Sequence, residues 1–150
     1  MSESLIVIGR RDRIDLPGFG FRNLKAKVDT GAYGSAIHCS RIEVVNRGGK
    51  ARLSFVLLDP EHPLYRDEVH WVENFKEKRV KSSSGESEQR YMISTPVVVF
   101  GKRITTDFSL TDRSDMKYPV LLGRKFLRKR FVVDVRLRDL SYKRKRKKVK

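Results

Sequence analysis

One cysteine, Cys39, in a chain of 150 residues excludes an internal disulfide and leaves too few thiolates for a cysteine-built metal centre. The longest apolar runs, such as Leu5 to Ile8 and Pro96 to Phe100, fall far short of the ~20 residues that a membrane-spanning helix needs. A charged start leading into a long apolar stretch, the mark of a secretory signal, is also missing, so a cytoplasmic location without membrane contact is expected. No Gly-x-x-x-x-Gly-Lys-Ser/Thr loop is present to cradle a nucleotide, and no His-Glu-x-x-His helix to pair a metal with a base. His38, Cys39, His62 and His70 lack metal-ligand spacing, and His38 and Cys39 are expected on opposite faces of a strand. Neither a metal nor another cofactor is therefore expected.

Positive charge, by contrast, is abundant. Lysine and arginine total 34 against 18 acidic residues, a formal net charge of +16. Seven of these cations lie between Lys143 and Lys150, in a block with no acid to offset them. Such a block cannot fold alone. The expected organisation is one domain over residues 1–140, with a basic, disordered tail over 141–150. Removing the tail's seven charges from +16 leaves the body at about +9, still basic enough to favour a polyanionic partner. That partner is either an acidic protein substrate or nucleic acid, with RNA contact through the tail.

Strand signals dominate the chain. Leu24, Ala26 and Val28 alternate with Lys25 and Lys27, and Ile104, Thr106, Phe108 and Leu110 alternate in the same way. Two apolar stretches, Ile42 to Val45 and Ala51 to Leu58, flank Asn46-Arg47-Gly48-Gly49 and predict a β-hairpin. Short strands are expected near Leu5 to Ile8, Val69 to Val72, Arg79 to Lys81, Tyr91 to Phe100, Pro119 to Leu122 and Phe131 to Val135. The polar run Ser82 to Glu88 reads as a hairpin tip. Good helix formers from Arg124 to Arg130 predict two helical turns. Many short strands with one late helix indicate a mainly β, closed architecture.

One alternating strand ends in Asp29-Thr30-Gly31-Ala32. An aspartate cleaves peptides only beside a second carboxylate, because two acids sharing a proton let one activate water while the other protonates the substrate. Thr30 offers a hydroxyl that can tie two such loops together, and Gly31 permits close backbone approach. About ninety residues later, Val120-Leu121-Leu122-Gly123 runs as a buried strand to a glycine and enters the predicted helix at Arg124.

These two segments resemble the retropepsin pattern, with Val80 to Tyr91 in the place of the flap. The segments Lys25 to Ala32, Ser35 to Cys39, Val80 to Ser83, Leu110 to Arg113 and Leu121 to Arg124, with Gly85, Glu88 and Arg90, are similar to the bacterial RimB family. Its members are also called RimK-associated retropepsin-like proteins or ATP-dependent zinc proteases. The resemblance implies a retropepsin-like closed β-barrel, a single acid-protease lobe, and an aspartic peptidase with Asp29, Thr30 and Gly31 as its catalytic loop. It further implies partnership with a RimK-type glutamate ligase, which adds glutamates to a small-subunit ribosomal protein that the peptidase would trim.

Substrate contacts are expected from Ala32 in the loop, from Ser82, Ser83 and Gly85 in the flap, and from Arg90, Arg113 and Arg124, whose guanidinium forks suit carboxylates. Only one Asp-Thr/Ser-Gly occurs, and Asp107, Asp112, Asp115 and Asp134 lack its setting. The second acid is therefore expected from Asp29 of another chain, making a homodimer. The alternatives are a second acid within the same chain, or a non-catalytic β-barrel that binds the ribosome or RNA through its basic surface. Against the RNA reading, the aromatic residues are scattered at core-like positions and form no RNA-binding motif.

Overall fold

The computed structural model describes residues 4–81, 84–112 and 117–148. Its strands are β1 (Ile6–Ile8), β2 (Arg11–Leu16), β3 (Phe21–Val28), β4 (Ser35–Arg47), β5 (Lys50–Leu57), β6 (His70–Val72), β7 (Lys76–Lys81), β8 (Ser87–Val99), β9 (Lys102–Thr111), β10 (Val120–Leu122) and β11 (Phe131–Val133). The helices are α1 (Arg124–Leu127) and α2 (Leu140–Lys148), with a 3₁₀ turn over Pro17–Phe19. No helix among the described residues is long and apolar enough to cross a membrane.

Hydrogen bonding runs from β10 through β3, β2, β8, β9 and β4, and β4 pairs back to β10, so the mainly β chain forms a ring of strands. Alternation fills the ring. Leu24, Ala26 and Val28 of β3 and Ile104, Phe108 and Leu110 of β9 point inward, where they meet Ile14, Leu16, Ile37, Val120 and Leu122. The distal half of β4 leaves the ring and forms the expected hairpin with β5, pairing Arg47 with Lys50. Gly48 and Gly49 both have positive φ, 58° and 80°, the backbone that a two-residue turn between twisted strands requires.

Strand β2 was not foreseen, because Arg11-Asp12-Arg13-Ile14-Asp15-Leu16 reads as polar. The structure places Asp12 on the inward face with Ile14 and Leu16, at 1% exposure. Its carboxylate accepts backbone N–H groups from Arg13 (2.8 Å), Ser141 (2.9 Å) and Tyr142 (3.1 Å). Two of these donors belong to the first turn of α2, whose N–H groups have no partner within the helix.

This contact explains the main departure from expectation, since the segment read as a disordered tail is helical as far as Lys148. Ser141 Oγ accepts the Phe100 N–H at 2.8 Å, Arg13 stacks 4.2 Å from the Tyr142 ring centroid, and Lys145 reaches Asp15 at 3.0 Å. The described residues thus include two α-helices where one was expected. The first is shorter than predicted, ending at Leu127 ahead of Lys129, whose φ is 71°.

Burial pushes the Asp12 carboxyl above its ordinary value, against the downward pull of the three N–H groups. The folded chain therefore holds this proton more tightly than the unfolded chain does. Asp12's contribution to stability falls as pH rises from the ordinary aspartate value through the raised one. Replacing Asp12 with Ala is expected to cost about 2 kcal/mol in urea unfolding, by stranding buried donors. It should also speed tryptic cleavage within α2. Asp12→Asn, which keeps an acceptor oxygen, should cost less in both measurements.

Candidate active site

Strand β10 lies between β3 and β4, parallel to the first (Leu122 beside Val28) and antiparallel to the second (Val120 beside Ile37). The connection from β3 to β4 is the loop from Asp29 to Gly34, and it must pass over the end of β10. Backbone bonds fix it there: Asp29 N–H donates to Leu122 O at 2.9 Å, and Ala32 O and Tyr33 O accept the Arg124 and Lys125 N–H groups at 2.9 Å each. The loop carbonyls thereby satisfy the start of α1, which has no side-chain cap. Gly123 fits beneath with its N–H donated to Ser35 Oγ at 3.0 Å. A Cβ there would lie 2.3 Å from Gly34 O and 2.6 Å from Tyr33 O.

Asp29 is half-buried, while Thr30 and Gly31 are exposed. The Gly31 N–H donates to Asp29 Oδ1 at 3.0 Å, which orients the carboxylate. Arg124 Nη1 donates to the Thr30 carbonyl at 3.0 Å and clamps the loop from the helix side.

Asp29 opens into a cleft of about 420 Å³ whose walls include Ala32, Ser35, Lys78, Arg90, Met92 and Ser109. Strands β7 and β8 form the hairpin over it, pairing Lys78 with Arg90 and ending at Lys81 opposite Ser87. Asp29 is the one carboxylate among the described residues of the lining, facing the two cations Lys78 and Arg90. Arg90 Nε and Ser109 Oγ are buried without a hydrogen-bond partner, and Glu88 stands 3.7 Å from the Arg90 guanidinium.

The lone cysteine offers no competing nucleophile. Cys39 is fully buried, and that burial raises its thiol pKa far above the ordinary value. His38, expected to face away from Cys39, is buried too. Its Nδ1 lies 3.2 Å from Thr111 O and its Nε2 3.7 Å from Asp59.

The chain itself has counterparts among known proteins. Residues 7–144 match the family described as RimB-like, retropepsin-like aspartic endopeptidase RimB. The chain belongs to the RimB-like family.

It is 34% identical over 141 residues to a Shewanella pealeana protein named probable alpha-L-glutamate ligase, covering 89% of this chain and 29% of that one. A Desulfotalea psychrophila protein of the same name is 34% identical over 132 residues, covering 85% and 28%. The chain thus spans under a third of these curated relatives, and the ligase activity named is theirs. The fold is similar to a crystal structure of the Legionella pneumophila protein Lpg0085, of unknown function (DUF785). That likeness has a TM-score of 0.73 at 24% identity and covers 92% of this chain and 99% of that one.

In this RimB-like chain the residues expected at the site are dispersed unevenly. Asp29, Ala32 and Arg90 line the cleft together. Arg124 is bound to the loop backbone and is not part of the cleft wall, and Gly85 is exposed near the hairpin tip at φ 86°. Ser82, Ser83 and Arg113 lie outside the described residues, as does Asp115. Asp107 is engaged by Ser94 and, at 2.9 Å, by Lys125, and both contacts draw its pKa down. Asp134 is paired with Arg136 at 2.8 Å.

Sequence reasoning missed Lys78, Met92 and Ser109 in the cleft. Their signal is the two-residue strand period starting from Arg90, which reaches Met92 along β8, and the cross-strand pairs Arg90 with Lys78 and Met92 with Ser109.

Proposed function

We propose that the chain is an aspartic peptidase acting on acidic, glutamate-rich polypeptides, with its carboxylate pair assembled from Asp29 of two copies. The observation carrying this reading is that Asp29 is the one carboxylate among the described residues of its cleft and sits on a half-open loop. Related by a two-fold axis, two such loops bring two aspartates to one point. The ring of strands is then the single barrel lobe of an acid protease. An apolar face suits a second copy: Val7 and Val132 are register partners across β1 and β11, both are exposed, and Leu5 and Val135 beside them in sequence are exposed as well.

The chemistry follows from the pair sharing one proton. The ionised aspartate takes a proton from water as the water oxygen bonds to the peptide carbon. The protonated aspartate gives its proton to the departing nitrogen, and the C–N bond breaks. The Lys78 and Arg90 side chains supply positive charge for substrate carboxylates, with Arg90 able to form paired N–H contacts. Glutamate as the substrate's acid is supported by relatives named glutamate ligases, which carry a region like this chain within one polypeptide. The substrate proposed on that ground is the glutamate tail that a RimK-type ligase adds to a small-subunit ribosomal protein.

Incubation with a glutamate-tailed peptide, followed by mass spectrometry, tests the reading. Progressive loss of glutamate-containing fragments is expected. A peptide left intact by a dimeric, folded protein, together with salt-dependent RNA binding, would instead favour the non-catalytic ribosome- or RNA-binding module. Arg90→Gln should raise KM for the glutamate tail about ten-fold with a smaller change in kcat, the cost of one charged hydrogen-bonding partner.

A further inference from the structure

A second basic depression lies beside the catalytic cleft. Its larger part, about 530 Å³, is lined by Lys102, Arg103, Lys129 and Arg130 together with Ile6 and Phe131. A smaller part of about 230 Å³ adds Lys125 and Arg128, and the two share Ile104, Thr105, Lys129 and Arg130. All six cations are exposed. Among the described residues the lining holds one acid, Asp107, already engaged by Lys125 and Ser94. Two elements build this concentration: the start of β9 after the Phe100-Gly101 turn, and the exit from α1, where the positive φ of Lys129 turns the chain.

Two observations indicate what it holds. Ser35 lines both the smaller part and the catalytic cleft, and Asp107 of the one and Ser109 of the other lie two residues apart on β9, so the basic groove adjoins the cleft where Asp29 sits. Its aromatic residues among those described, Phe126 and Phe131, are both buried, so they present no exposed ring on which a base could stack. A flexible chain of carboxylates needs only spaced cations.

We infer that this groove is an exosite that holds an acidic stretch of the same polypeptide whose cleaved portion occupies the Asp29 cleft, giving preference for long acidic segments over short ones. This rests on the proposed peptidase reading for its substrate class. Extended chain covers at most about 3.5 Å per residue, so a peptide of roughly six residues fills the cleft alone while one of roughly sixteen reaches the groove.

The test uses the whole 150-residue chain carrying Asp29→Asn, so that binding is read without cleavage and independently of whether hydrolysis occurs. Anisotropy is measured with labelled glutamate peptides of these two lengths and with a single-stranded RNA. Adding Arg103→Gln and Lys129→Gln, whose side chains make no hydrogen bond or ion pair among the described residues, should weaken the long peptide about ten-fold or more and leave the short one unchanged. With Asp29 restored, the same pair should raise KM for the long peptide and leave kcat unchanged. Arg130→Gln, tested alone, should act in the same direction, and unfolding midpoints verify that each variant is folded. Equal affinities for the long peptide with and without the substitutions would overturn the exosite. So would RNA binding that is lost in these variants while long-peptide binding persists, which would assign the groove to RNA.

Discussion

Asp29→Asn is expected to lower peptide hydrolysis by about 10³-fold or more while leaving the fold and its unfolding midpoint nearly unchanged. Asparagine matches aspartate in shape and keeps an oxygen for the Gly31 N–H, so the loop retains its bonds to Leu122 and Arg124. What is lost is the acid. An amide neither takes a proton from water nor shares one with a partner carboxylate, and a missing general acid-base group costs roughly 10² to 10⁴ in rate. In a two-chain site the substitution removes both aspartates together, so the loss should approach the upper end. The measurement is kcat/KM on a glutamate-tailed peptide beside a urea unfolding curve. Wild-type rates from the variant would remove Asp29 from the mechanism.

Gly123→Ala should be the most damaging single-methyl change near the site. The added carbon would lie 2.3 Å from Gly34 O and 2.6 Å from Tyr33 O, separations that backbone atoms cannot tolerate. Relief requires lifting the Asp29–Gly34 loop from β10, which breaks the bonds from Arg124 and Lys125 N–H to that loop. The expected cost is about 3 kcal/mol or more of stability, with hydrolysis falling to background because the aspartate is displaced. Gly34→Ala makes a useful comparison, since no atom lies within 4 Å of a Cβ built there. It should leave the unfolding midpoint nearly unchanged, whereas an equal loss in both variants would contradict the packing argument.

The parts of this structure legible in the sequence are those written in local pattern. The period of two in β3 and β9, the two glycines of the β4–β5 turn and the strand-to-glycine segment ending at Gly123 each declare themselves within a few residues. Asp12 shows where that reading stops. A charged residue at an inward position hides a strand, and its partners Ser141 and Tyr142 lie about 130 residues away, so neither β2 nor the order of α2 could be read locally. The same holds at the site. Asp29 was visible from its tripeptide, but Lys78 and Ser109 reach the cleft through cross-strand pairing with Arg90 and Met92. Arg124 carried the signature of a substrate-gripping arginine, and the structure gives it the Thr30 carbonyl. Residue type indicated what Arg124 could bind, while its place at the start of α1 decided what it met.

Each chain, on the proposed reading, carries half of a catalytic site. Wild-type protein and Asp29→Asn protein, unfolded together in equal amounts and refolded so that copies pair at random, test it directly. If both aspartates are required, only wild-type pairs are active, and activity per total protein should fall to about one quarter of the wild-type value. Activity of about one half would mean that each chain works alone, contradicting the shared dyad.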